Sequence, residues 1–277
     1  SNLSELLPSG AGQNQVEFVA SGTLPNGKPV ILKADGQVEV VGISVGLSHG
    51  ASSVFETPGA AGFTSVAMLT STKAFVVYTD AGAGDFATSC VLEISGSTIT
   101  AGTPFQFDNS SGDTDVVMLT STKVLASWRS GVLSSQGLAT VLLINGTTIS
   151  KGSDVIFESG YYDNGSLARL SSTQAIACYR DGGNSGYGTS CIINVSGSTT
   201  VTVGTPAVFE NASTNQVNVA SISSTKVIVC YRDAGNGNYL TARILSISGS
   251  SISVGTEVVF ANSASTLPLV DVLSSTK

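Results

Sequence analysis

Three loops carry the residues best suited to chemistry. Asp80 precedes Phe86 by six residues, Asp181 precedes Tyr187 by six, and Asp233 precedes Tyr239 by six. Between them lie Gly82 and Gly84, Gly183 and Asn184, and Gly235 and Asn236. A carboxylate, a carboxamide and an aromatic ring on one loop could hold a sugar, with its hydroxyls on Asp and Asn and its ring on the aromatic face. The same residues also build a turn unaided. Asp accepts from backbone N–H groups of its own loop, glycine takes positive φ, and the aromatic covers the hairpin. The turn reading is preferred. The sugar reading is retained for Asp80, Phe86, Asp181, Asn184, Tyr187, Asp233, Asn236 and Tyr239 as candidate ligand-binding residues. A fourth loop departs, with Val132-Leu133-Ser134-Ser135-Gln136, so any such site would be missing there.

Other chemistries lack parts. His49 is the one histidine, and no G-x-S-x-G surrounds a serine. A glycosidase needs two placed carboxylates, but these Asp residues recur at equivalent places, as structure would demand. No phosphate or dinucleotide fingerprint is present. Calcium is a weak option, because no D-x-D-x-D-G loop with a distal Glu exists. None of the four cysteines forms a CxxC pair, so no zinc site is expected, and no catalytic residue, metal or cofactor is assigned. Cys178 and Cys191 lie symmetrically about 184.5, which makes them candidates for a cross-hairpin disulfide. The preferred reading keeps all four cysteines reduced, as small buried hydrophobes.

Composition narrows the class. Hydrophobic residues make up 42% and charged ones 11% of 277 residues. The polar remainder is Ser, Thr, Gly and Asn, which is not a disordered profile. The net charge of −7 and the scatter of 12 basic residues exclude a basic stripe for nucleic acid. No apolar run approaches the length of a transmembrane helix. The N-terminus is not expected to be a secretory signal peptide.

The elements that would position the loops repeat. The aromatic before each loop falls at Tyr78, Trp128, Tyr179 and Tyr231, in steps of 50, 51 and 52. A second series is Phe55, Phe107, Phe157, Phe209 and Phe260. A unit taken at 215–265 reads as four strands joined by short turns. Its second strand, Val227-Ile228-Val229-Cys230-Tyr231, is apolar without alternation. Such a strand must be covered on both faces. Four short antiparallel strands every ~50 residues, with sheets shielding one another, describe a propeller blade. A β-solenoid is the rival, but parallel stacking would not need tight hairpin turns such as Asn145-Gly146. The fold class is therefore all-β: a propeller-like array of four-stranded antiparallel blades behind an N-terminal β hairpin element. The expected domains are 1–45 and 46–277, with units at about 62–112, 113–163, 164–214 and 215–265 and a partial unit at 266–277. Hairpin turns are expected at Asn26-Gly27 and Asp35-Gly36, with a strand at 16–20.

The Ser-Ser-Thr-Lys turn followed by Val-x-Val-Cys-Tyr-Arg-Asp, at 223–233, resembles repeats in virion appendage proteins of marine bacteriophages. The segment 22–36 is similar to short N-terminal β modules of phage decoration and fibre proteins. The Asp–Gly loops resemble the Asp-box turn of sialidase-type propellers, which is structural. The phage resemblance implies a non-catalytic tail fibre, horn or capsid decoration on the virion surface. It would be anchored to other virion proteins through the N-terminal element and would display its repeats for host attachment. A host-surface glycan is the candidate ligand, with no membrane insertion. A homo-oligomer is left open, since no heptad specifies one. The alternative is a secreted microbial lectin of propeller fold.

Overall fold

A computed structural model describes residues 30–40, 52, 54–55, 60–109, 111–263 and 268–272. The strand expected at 16–20, the turn at Asn26-Gly27, His49 and the end of the partial unit lie outside these residues. The chain divides into two compact units, Ser1–His49 and Gly50–Lys277. In the first, β1 (Val30–Leu32) and β2 (Val38–Val40) pair antiparallel across the Asp35-Gly36 turn. Gly36 takes φ +82 there, and Asp35 Oδ1 accepts from Gln37 N at 3.0 Å.

The second unit is built from repeated antiparallel sheets. The first blade holds β3 (Ala61–Thr70), β4 (Lys73–Asp80), β5 (Phe86–Ser95), β6 (Thr98–Ala101) and β7 (Phe105–Asp108). The second holds β8 (Ser111–Thr120), β9 (Lys123–Ser130), β10 (Gln136–Asn145), β11 (Thr148–Lys151) and β12 (Val155–Glu158). The third follows with β13 (Tyr162–Ser171), β14 (Gln174–Asp181), β15 (Tyr187–Ser196) and β16 (Thr200–Val203). The long β17 (Ala207–Ser223) closes the third blade with its first half and opens the fourth with its second. The fourth continues with β18 (Lys226–Asp233), β19 (Tyr239–Ser248), β20 (Ser251–Val254) and β21 (Val258–Ala261).

The fold is thus a propeller-like array of antiparallel blades. Its second strands are apolar on both faces because both faces are covered: Ala74 through Thr79 are all buried. One core joins blades one and two around Phe75, Val77, Val124 and Trp128, and another joins two and three around Leu125, Val141, Ala177 and Ile193. The third core joins three and four around Ile176, Ile192, Val229 and Tyr231. Each buried Phe, Ile or Leu stabilises by roughly 1.5–3 kcal/mol.

The fourth strand of each unit is broken into two pieces, as at Ser251–Val254 and Val258–Ala261 in the fourth blade. Gly102, Gly152, Gly204 and Gly255 stand at the break. Each donates its N–H at 2.8 Å to a third-strand carbonyl: Val91, Val141, Ile192 and Ile244. A Cβ at Gly152 would come within 2.6 Å of Thr199, so the chain can turn there only without a side chain.

The Ser/Thr-rich turn motif has a physical role. Thr72, Thr122, Thr173 and Thr225 donate N–H to the hydroxyl two residues earlier, which fixes a two-residue turn. The next residue then reaches the following blade. Lys73 Nζ donates to Gly146 O at 3.2 Å, Lys123 Nζ to Gly197 O at 3.0 Å, and Gln174 Nε2 to Gly249 O at 3.0 Å.

Candidate functional site

The start of each first strand pairs with the end of the second: Ala61 with Asp80, Ser111 with Ser130, Tyr162 with Asp181, and Thr214 with Asp233. The loops after the second strands therefore share one end of the blades with the entries to the first strands. Loop and entry are stitched across blades, with Ser111 N, Tyr162 N and Thr214 N donating to Asp85 O, Ser135 O and Gly186 O.

Each sequence-predicted Asp holds its own turn. Asp80 Oδ1 accepts from Ala83 N at 3.0 Å, and Asp181 Oδ1 from Asn184 N at 2.9 Å, capping the 3-10 turn Gly182–Asn184. Asp233 Oδ1 accepts from Gly235 N at 2.9 Å and Asn236 N at 3.2 Å. Asn184 and Asn236 are exposed, and Phe86, Tyr187 and Tyr239 are half-buried. The rings sit by the glycines: a Cβ on Gly237 would meet Tyr239 at 3.1 Å. Each loop thus carries its candidate residues, a pair on the first and three on each of the other two, with one Asp oxygen already committed to the backbone.

Cys178 and Cys191 are not joined to each other, and all four cysteines are buried. The pairing register places Cys178 opposite Ser190 and Ala177 opposite Cys191, so the hairpin centre is residue 184. Side chains alternate faces along a strand. Cys191 accordingly packs in the core shared with the second blade and Cys178 in that shared with the fourth. Burial raises the thiols of Cys178, Cys191 and Cys230, that of Cys191 to about 12 and that of Cys230 to about 11, which makes these three poor nucleophiles.

A polar cluster that the sequence did not disclose lies between blades two and three. Arg129 Nη1 is 3.1 Å from both Asp113 Oδ2 and Asp163 Oδ1 and donates to the Tyr161 hydroxyl at 2.9 Å. Its guanidinium also lies over the Tyr161 ring, 5.4 Å from the centroid. Arg180 approaches Asp163 at 3.7 Å. Desolvation, opposed by Arg129 and helped by neighbouring Asp163, raises the Asp113 carboxyl to about 6. The only signal available was the arginine after the aromatic, at 129, 180 and 232.

Asp113 stands on a strained backbone. Phe63, Asp113, Asn164 and Gln216 occupy the same place in the four first strands, with φ of 44, 48, 50 and 53°. The ladder to the second strand skips there in every blade, forming a bulge. No shared residue type marks it, which is why it is silent in the sequence. Two residues beyond, a side-chain oxygen takes an N–H from the next first strand. Ser65 Oγ accepts from Val116 N at 3.3 Å, Asp115 Oδ2 from Leu167 N at 2.7 Å, and Ser166 Oγ from Val219 N at 3.4 Å. Asn218 Oδ1 accepts from Val270 N at 2.9 Å, which brings 268–272 alongside the fourth blade.

One acidic group has metal-like spacing. Oxygens of Glu210, Asp233 and Glu257 lie within 4.8 Å of one another. Arg243 Nη2 already contacts Glu210 at 3.1 Å and Glu257 at 2.7 Å, and Tyr231 donates to Glu210 at 2.8 Å. Glu210 belongs to a series: Trp128 Nε1 donates to Asp108 Oδ2, and Glu158 holds the same place after Phe157. The group is an ion-pair latch between blades.

No protein-family model matches the sequence, and no curated protein matches it. Solved structures do. A protein of unknown function from Dyadobacter fermentans shares 15% identity over 67% of this chain and 49% of its own, at a TM-score of 0.43. A triple-arginine mutant of AofleA from Arthrobotrys oligospora shares 11% over 70% and 58%, at 0.46. A subtype N10 neuraminidase-like protein of A/little yellow-shouldered bat/Guatemala shares 9% over 73% and 60%, at 0.44. The chain spans about half the length of the first of these. The propeller-like description rests on the chain's own strand order and inter-blade cores.

Proposed function

We propose that this chain is a non-catalytic recognition module whose blade ends bind a host-surface glycan. The observation that carries the reading is the repeated loop: an Asp-braced turn presenting exposed Asn184 or Asn236 beside half-buried Tyr187 or Tyr239. Bracing matters because a loop ordered beforehand loses little entropy on binding. The Asp residues serve their turns at equivalent positions, which supports binding over hydrolysis. The resemblance of 22–36 and 223–233 to phage proteins supports a virion appendage as the setting of this module, with the N-terminal element as its anchor. The same surface would serve a secreted lectin, and immunogold labelling of purified particles separates the two.

A glycan array followed by calorimetry tests the reading. Wild-type chain is expected to retain a defined glycan set, and Tyr187→Ala with Tyr239→Ala to weaken binding about tenfold, the order of one lost stacking contact. Absence of any bound glycan at millimolar concentration would overturn it.

A further inference from the structure

The segment entering the third blade runs between two loops. Tyr162 N donates to Ser135 O of the second blade at 2.9 Å, and Gly182 N of the third blade donates to Tyr161 O at 2.7 Å. Tyr161 is 43% exposed there, and its hydroxyl and the Asp163 carboxylate share Arg129 Nη1. We propose that Tyr161, Arg129 and Asp163 form a binding subsite for a neutral sugar that presents two adjacent hydroxyls. The proposal deepens the glycan reading and rests on it for the class of ligand.

Three features argue for it. First, the ring is exposed yet held. Arg129 donates to its hydroxyl at 2.9 Å, and the guanidinium lies over the ring at 5.4 Å from the centroid. The next residue, Tyr162, is buried, with its ring 5.1 Å from Phe157 and 5.5 Å from Tyr179. An aromatic fixed before binding loses little freedom when a sugar face settles on it. Second, polar capacity is left over. Among the described residues, the side-chain bonds and ion pairs of Arg129 all run through Nη1, which leaves Nε and Nη2 to donate. Asp163 gives Oδ1 to Arg129, while its Oδ2 is 3.7 Å from Arg180 Nη1, beyond hydrogen-bond length. A donor beside an acceptor matches two adjacent hydroxyls, one accepting and one donating. Arg129 and Arg180 balance Asp113 and Asp163 in formal charge, which suits a neutral ligand. Third, this junction differs from its neighbours. In sequence, Ser110 and Ser213 hold the place of Tyr161, and Gly112 and Asn215 that of Asp163. The loop of the second blade lacks the Asp of the other three, so here ring and carboxylate come from the entry strand instead.

The test titrates the full chain with methyl hexosides, their monodeoxy analogues and N-acetylneuraminic acid as the charged comparator. Calorimetry reads affinity, and the Tyr161 ring signals in NMR report contact at this place. Expected are binding of a neutral hexoside with shifts of the Tyr161 signals, and a loss of about tenfold or more in Tyr161→Ala and in Asp163→Asn. Tyr161→Phe keeps the ring and should bind within about threefold of wild type; circular dichroism checks that each variant folds. The Tyr187→Ala/Tyr239→Ala chain should keep the Tyr161 shifts. If Tyr161→Ala and Asp163→Asn bind as wild type while the loop variant loses binding, the subsite is refuted and the loop reading stands. If both subsite variants lose binding and the loop variant does not, the subsite stands and the loops are refuted as the contact. A loss in Tyr161→Phe as large as in Tyr161→Ala refutes the ring as the platform. Monodeoxy analogues that all bind as tightly as their parents refute the hydroxyl pair, and equal binding of N-acetylneuraminic acid refutes the neutral class. Binding of no sugar at all refutes both readings.

Discussion

Asp113 shows how much one residue's setting can depend on a neighbouring blade. Its carboxyl is raised to about 6, first by desolvation, from an unfolded value near 4. The folded state therefore holds the proton more tightly, and this group's contribution to stability is full below about pH 4 and is lost as pH rises to 6 and above. Asp113→Asn should raise the melting temperature at pH 7.5 and flatten the pH dependence between 4 and 6. Asn164, at the same register and φ, shows that the backbone accepts asparagine. A lower melting temperature at pH 7.5 would mean that the Arg129 contact outweighs desolvation. The composition of the Asp-braced loops was readable because each involves residues within six positions. The facing of Cys178 and Cys191 was not, because a half-residue error in the hairpin centre reverses a side chain's face.

At the level of elements, the blade junctions depend on glycine facing phenylalanine. Phe107, Phe157 and Phe209 lie against Trp128, Tyr179 and Tyr231 of the following blade, with ring centroids 5.2, 5.5 and 5.2 Å apart. Phe55 lies against Tyr78 at 5.4 Å in the same way. A Cβ at Gly188 would come within 2.4 Å of the Phe209 ring, and one at Gly137 within 2.9 Å of Phe157. Gly188→Ala should destabilise by about 1–3 kcal/mol through overpacking, and Phe209→Leu should recover part of that loss in the double variant. Additive losses in chemical denaturation would show that the two positions are not coupled. The Phe series gave the repeat register directly. The glycine opposite was silent, since the first blade has Ala87 and the fourth Leu240 there.

Across the whole repeat unit, the same position meets different surroundings. Val66 is 62% exposed, whereas its counterparts Val116, Leu167 and Val219 are 4, 5 and 6% exposed. Phe260 is 53% exposed, against 5, 5 and 2% for Phe107, Phe157 and Phe209. Among the described residues, no complete blade stands against these two outer faces. Val66→Asp should therefore change unfolding free energy by no more than about 0.5 kcal/mol. Val116→Asp buries an unpaired charge and should cost several kcal/mol. Equal losses in urea titrations would mean that the first face is covered in solution.

The sequence alone determined the period near 50 residues, the antiparallel hairpins and the stacking of sheets. Those follow from local turn chemistry and from second strands too apolar to leave either face wet. Only the tertiary structure decided which side chains meet between blades. Arg129 joins Asp113 of its own blade to Asp163 of the next, 34 residues beyond Arg129, and the bonds beside the first-strand bulges join residues 51 to 53 apart. Their meeting depends on strand register and bulge geometry, which no single repeat encodes.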